Sequence, residues 1–364
     1  MPGKLSQTLQ RRGGVALLAA GSIAISACGA VNQGVSSTPA PTPAPSDLIY
    51  VFNQGDASIS VIDSASNQVK VTKTVPFPAY GLYPSNQYGL KSGYLLLPQP
   101  TKVTILKDAD LSVAATIPMV AAQGLWSAIL PDGKTGVVVA RETDTLAWVD
   151  MDPSSKAFGS IQKSLTTPGK VGFCDVSLSK DGHYAYIPDL FTSQLQVVDL
   201  TTGQTASIDA SPVKKPFMGT VSWDGKIWAV EGKEGPGQEA YLSLADPTHP
   251  KLLKVLGAAD GLGSGPHTDE FRPDNRYDFV IDQTSDKVSV VDTTTFAIVQ
   301  TIVLPTGSLP RVGAFSYNGN KLFVNLEGTD SVAVIDTHAF KLTATIPVGK
   351  KPSGLAPTRY GWTG

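Results

Sequence analysis

One phrase recurs seven times along this chain: a short β-branched or aromatic run, a few polar residues, a second apolar run, and a residue that opens a turn. Clear copies run from Tyr50-Val51-Phe52-Asn53 to Val61-Ile62-Asp63, from Phe279-Val280-Ile281-Asp282 to Val290-Val291-Asp292, and from Leu322-Phe323-Val324-Asn325 to Val334-Ile335-Asp336. The turn-opening positions are Asp63, Lys107, Asp150, Asp199, Ser243, Asp292 and Asp336, spaced 43 to 49 residues apart, so no unit is missing or doubled. Five of them are Asp, whose carboxylate accepts backbone N–H groups two residues on and so starts a turn.

Ahead of most phrases stands a hairpin signal: Asp132-Gly133, Asp181-Gly182, Asp224-Gly225, Asn318-Gly319, and the variants Asp274-Asn275 and Ser85-Asn86. Such pairs supply the positive φ of a tight reversal. Each unit therefore reads as four short antiparallel strands, and a strand-only repeat of this length predicts an all-β, seven-bladed β-propeller over residues 48–364. The first unit has no inner strand before Leu48, whereas Pro352-Ser353-Gly354-Leu355-Ala356-Pro357 is an inner strand with no blade after it. The C-terminal strand is expected to complete the first blade and close the ring, leaving no open sheet edge.

These repeats resemble the YVTN family of seven-bladed propellers, also seen in archaeal surface-layer and bacterial envelope proteins. The resemblance covers Leu48 to about Gly361 and implies a fold rather than an activity, because propellers host both enzymes and binding scaffolds.

Charged residues make up 16% of the chain and the net charge is −2, so no electrostatic footprint for nucleic acid is present. Residues 1–27 read as an export signal: Lys4, Arg11 and Arg12 precede the apolar stretch Val15 to Ile25. Ile25-Ser26-Ala27-Cys28 matches a bacterial lipobox, which predicts cleavage before Cys28 and its diacylation. The alternating Thr-Pro-Ala-Pro stretch within residues 28–47 cannot bury a core and reads as an extended tether. The expected location is therefore extracytoplasmic, with the membrane as a partner through Cys28. Gly29 gives no Asp-type retention signal, which favours the outer membrane where one exists. The expected assembly state is a monomer.

The chain has four histidines without metal-ligand spacing, and neither a nucleophile elbow nor a haem-attachment motif, so no metal or cofactor is expected. Alignment of the inner strands places Ala79, Leu125, Cys174, Phe217, His267, Arg311 and Ser353 at the channel mouth, followed by Tyr80, Trp126, Asp175, Met218, Thr268, Val312 and Gly354. The family motif at these places is Pro-x-Gly, kept whole only in Pro352-Ser353-Gly354. Tyr80, Trp126 and Met218 are candidates for an apolar floor. Asp175, His267, Asp269, Glu270 and Arg311 are candidate polar groups for a protein or small-molecule ligand, or else a structural plug in which Arg311 pairs with Asp269 or Glu270. Cys174 beside Asp175 reads as a buried structural thiol.

Two resemblances bear on activity. The offset of His267 from its hairpin is similar to that of the iron-ligating histidine in the haem-binding propeller of dissimilatory nitrite reductases. The run Tyr186-Ile187-Pro188-Asp189-Leu190 resembles a Phe-Val-Pro-Asp-Leu phrase of lactonase-type propellers, although Phe173-Cys174-Asp175 stands where that family has paired histidines. The sequence alone thus favours a non-catalytic binding or scaffold module of the envelope. The alternative is a propeller enzyme or cofactor carrier, either lactonase-like or tetrapyrrole-binding, working around His267 and Arg311.

Overall fold

The computed structural model describes residues 47–77, 93–119, 125–167 and 172–357. Its 27 strands form seven antiparallel sheets, six of four strands and one of three, with four single-turn 3₁₀ segments as the other regular elements among the described residues. The chain is a seven-bladed β-propeller. Blade two shows the three strands Tyr94–Gln99, Lys102–Lys107 and Val113–Pro118. Its expected inner strand, with Ala79 and Tyr80, lies outside the described residues, as do the leader and the Cys28 lipobox.

Ring closure is as expected. Pro352–Pro357 pairs antiparallel with Leu48–Asn53, matching Leu355 to Val51 and Ala356 to Tyr50, so the two ends of the propeller share one sheet. The predicted turns also form. Asp63 accepts the N–H groups of Ala65 and Ser66, and Asp199 those of Thr201 and Thr202. At the hairpins, Gly133, Gly182, Gly225 and Gly319 all adopt φ between 71° and 76°, where a Cβ would be strained.

The two middle strands of each blade are buried on both faces and read as near-continuous apolar runs, whereas outer strands such as Lys341–Pro347 alternate exposed and covered residues. Apolar layers between blades carry the stability, at roughly 1.5–3 kcal/mol per large side chain buried. Between blades six and seven, for example, Phe279 meets Phe315 edge-on at 5.6 Å, amid Ile281, Val290, Leu322 and Val324. Hydrogen bonds also stitch one inner strand to the next: Thr220 Oγ1 donates to Asp269 O at 2.9 Å, and Thr268 Oγ1 to Arg311 O at 2.8 Å.

A polar pair recurs inside several blades. Where the second strand ends, Asn53, Gln99, Asp189 and Asp282 each bond a side chain of the third strand, namely Ser60, Thr104, Gln196 and Ser289. In the other three blades both places are apolar or Gly: Ala140 with Ala147, Gly232 with Ala240, and Leu326 with Ala333. Asp189 of the lactonase-like phrase is therefore one member of an internal cross-strand repeat.

Candidate functional site

The layer between blades five and six departs from the apolar rule. Glu239 is the second residue of the third strand of blade five, where the other six blades place Ile59, Val103, Leu146, Leu195, Val288 and Val332. Its partner directly across the ladder is Glu231, and both are fully buried. From blade six, Asp269 and Asp278 join the same layer, also fully buried. Asp278 stands where the other blades carry Ile49, Leu95, Gly136, Ala185, Trp228 and Leu322.

Like charges directly opposite in a dry layer repel, and burial disfavours the ionised form, so Glu231, Glu239 and Asp269 are held protonated. Burial pushes the carboxyls of Glu231, Glu239 and Asp269 well above the usual range, and neighbouring carboxyls add to the effect. Asp278 is raised to about 6, burial again leading, opposed by the 2.8 Å hydrogen bond from the Tyr241 hydroxyl. Asp269 is among the groups that act on the Asp278 carboxyl.

Above this layer, at the channel mouth, the predicted inner-strand register holds. Phe217, His267, Arg311 and Ser353 are each the second residue of their inner strands. Cys174 takes the same place in blade four, its N–H donating to Pro188 O beside the bridge between Phe173 and Asp189. His267 is buried and packs edge-on against Phe217 at 5.3 Å. Burial, then Lys233 and Arg311, hold its pKa well below the usual histidine value, so the imidazole is neutral.

Two groupings expected from sequence are not formed. Arg311 Nη1 pairs with Glu327 at 2.8 Å, and Asp269 and Glu270 point to opposite sides of their strand. Asp269 joins the acidic layer against blade five, while a Cβ on Gly313 of blade seven would meet Glu270 Cγ at 2.8 Å. Side chains alternate along a strand, so adjacent acids cannot share one pocket. Trp126 and Met218 do lie in one apolar cluster, with Trp126 only 6% exposed, and Asp175 is buried with Oδ2 accepting the Gly219 N–H. Tyr80 and Cys28 lie outside the described residues.

Sequence reading passed over Arg141 and Lys233. Each directly follows the second strand of its blade, and each sits on an aromatic ring: Arg141 is 4.7 Å from the Trp126 centroid, and Lys233 is 4.5 Å from that of Phe217. Lys233 Nζ also donates to Pro266 O at 2.6 Å. Burial lowers its pKa to about 8, opposed by Glu231. Arg141 Nη2 lies 2.9 Å from Cys174 Sγ, whose thiol is pushed up to about 12, chiefly by burial. The thiol is inert at neutral pH, in keeping with a structural role. Among the described residues, no group of three or more His, Cys, Asp or Glu converges as a metal ion would require.

The class of protein defined here is a seven-bladed β-propeller in which Lys233, His267 and Arg311 come within electrostatic reach of one another beside a buried acidic layer. A family model described as Lactonase, 7-bladed beta-propeller matches residues 245–359, the stretch that supplies Asp269, Asp278, His267 and Arg311. Among solved structures, the periplasmic gluconolactonase PpgL of Pseudomonas aeruginosa is 18% identical, with a TM-score of 0.69, covering 85% of this chain and 98% of its own. A functionally unknown protein from Desulfotomaculum acetoxidans gives 15%, 0.68, 86% and 99%, and Kuenenia stuttgartiensis hydrazine synthase gives 17%, 0.62, 77% and 93%, in the same order. At such identities the likeness is one of fold. No curated protein sequence matches the chain. The lactonase match overturns the expectation of a non-catalytic binding or scaffold module and favours the hydrolase-type alternative.

Proposed function

We propose that the protein is a hydrolase of lactone-type cyclic esters, acting at the channel mouth around Lys233, His267 and Arg311. The observation that carries this reading is the lactonase family match over residues 245–359, which covers blades six and seven and so supplies Asp269, Asp278, His267 and Arg311, while Lys233 precedes it. The residues fit the chemistry. A general base works best with a pKa near the working pH, and Lys233, at about 8, is about half neutral there. In the proposed reaction Lys233 takes a proton from water as the oxygen adds to the ring carbonyl carbon. The Arg311 guanidinium opposes the negative charge that forms on the carbonyl oxygen. The ring C–O bond then breaks, the departing alkoxide takes the proton back from the Lys233 ammonium, and a hydroxy acid is released. His267, neutral and packed on Phe217, positions the site without adding charge.

The N-terminal features complete the proposal. The YVTN-like repeat, the lipobox and the Pro-rich tether support an enzyme of the cell envelope, anchored through Cys28 on the extracytoplasmic side. Two acyl chains give stable anchoring where one does not. Detergent partitioning tests this part: the wild type should enter the detergent phase and Cys28→Ser should not, and equal partitioning of both would reject the anchor. The catalytic part is tested by incubating the purified protein with gluconolactone and titrating the acid released. Release no faster than spontaneous ring opening would reject it.

A further inference from the structure

We propose that Arg141 and Lys233 form a clamp for a single carboxylate, so that the ligand of the mouth carries, or becomes, an organic acid. The two side chains leave corresponding places in blades three and five and flank blade four from either side. Arg141 Nη2 lies 2.9 Å from the Cys174 Sγ of blade four, and the Lys233 charge also acts on that thiol. Their positive charge is supported but not cancelled. Trp126 and Phe217 offer ring faces, Cys174 a neutral sulfur, and Pro266 a neutral carbonyl.

Neither cation takes part in a salt bridge among the described residues. Arg141 Nε is buried with no acceptor. A buried guanidinium N–H without a partner is costly and marks a place where an acceptor is missing. The nearby acids do not fill that place: Glu231 and Glu239 are kept neutral by burial, and Arg311 is met by Glu327. Asp175 also acts on the Cys174 thiol, and its Oδ2 accepts the Gly219 N–H. Below about pH 8, where Lys233 keeps its proton, the two cations suit an organic monoanion. A planar guanidinium also matches a carboxylate through two parallel hydrogen bonds.

This deepens the hydrolase reading, and rests on it only for the identity of the acid, since hydrolysis of a lactone yields a hydroxy acid. Calorimetric titration with gluconate, with sorbitol as its uncharged counterpart, and with inorganic phosphate provides the test. Wild type should bind gluconate in preference to both, more weakly as salt rises. Arg141→Met keeps the packing on Trp126 but removes the charge, and should weaken gluconate at least 10-fold, while Arg141→Lys retains part of the affinity. Lys233→Met provides the second arm, with a loss of similar size, in case Arg141→Met does not fold. Gluconate binding no better than sorbitol, phosphate binding tighter than gluconate, or unchanged affinity in a folded Arg141→Met or Lys233→Met protein would each overturn the clamp. Gluconate binding without any lactone turnover would instead sink the hydrolase reading and leave the clamp standing.

Discussion

Glu231 and Glu239 face each other across neighbouring strands of blade five, both fully buried, with no hydrogen-bond partner on any of their four carboxyl oxygens. The other six blades carry Ile, Val or Leu at the Glu239 place, and this pair persists only with its protons on. It ties the folded state to the proton concentration.

Glu239→Leu restores the side-chain type found at this place in the rest of the ring. Removal of a desolvated carboxyl in exchange for an apolar group of similar volume should leave stability unchanged or raise it by about 1–3 kcal/mol at pH 8. Urea unfolding of the variant beside wild type checks this. A clear loss of stability would mean that Glu239 has a partner that offsets its burial.

The pH dependence has a definite sign. Asp189 and Asp282 rise from 3.8 to about 7 on folding, chiefly through burial, and Asp278 rises to about 6. The folded state therefore binds more protons than the unfolded chain between about pH 4 and 7. Stability from these groups is fully present below pH 4 and is lost as pH rises through 6 and 7. Surface acids such as Asp152, lowered to about 2 by bonds from Ser154 and Lys134, act oppositely and lose their contribution below about pH 4. Melting temperature should thus peak in mildly acidic buffer, between about pH 4 and 6, and fall towards pH 8.5. A flat or rising profile from pH 5 to 8.5 would show that the acidic layer is solvated or paired.

Deleting residues 352–364 removes the inner strand of blade one, including buried Leu355 and Ala356, and exposes the edge of Leu48–Asn53. A loss of several kcal/mol, about 3–5 or more, is expected from the apolar burial and ladder forfeited together. Thermal unfolding of the truncated chain reads this directly, and an unchanged melting temperature would contradict closure through that strand.

The fold was legible because strand and turn chemistry repeat locally, and because the unmatched ends complement each other. One detail of register was not. Asn325 aligns by eye with Asn53, yet it pairs with Val332, one place earlier than the pairing of Asn53 with Ser58. Its amide is committed elsewhere, accepting the Val312 N–H and donating to Pro352 O. The mouth register was also legible, since it follows from counting back from each hairpin. The acidic layer was not, because Glu231, Glu239, Asp269 and Asp278 come from four strands and meet only when blades five and six stack. Glu239 did leave a signal: it is the one charged residue at a place that six repeats fill with Ile, Val or Leu. Arg141 and Lys233 went unnoticed because they sit one residue past their strands, where the repeat carries no shared motif.

The most direct measurement is the rate of gluconolactone hydrolysis from pH 6 to 9, corrected for spontaneous ring opening, for wild type and Lys233→Met. The wild-type excess rate should climb to a plateau with a midpoint near pH 8, as the Lys233 amine loses its proton. In Lys233→Met the excess should fall at least 100-fold while the protein still unfolds cooperatively. No excess over the spontaneous rate in wild type, or an equal excess in both proteins, would contradict a hydrolase built on this mouth.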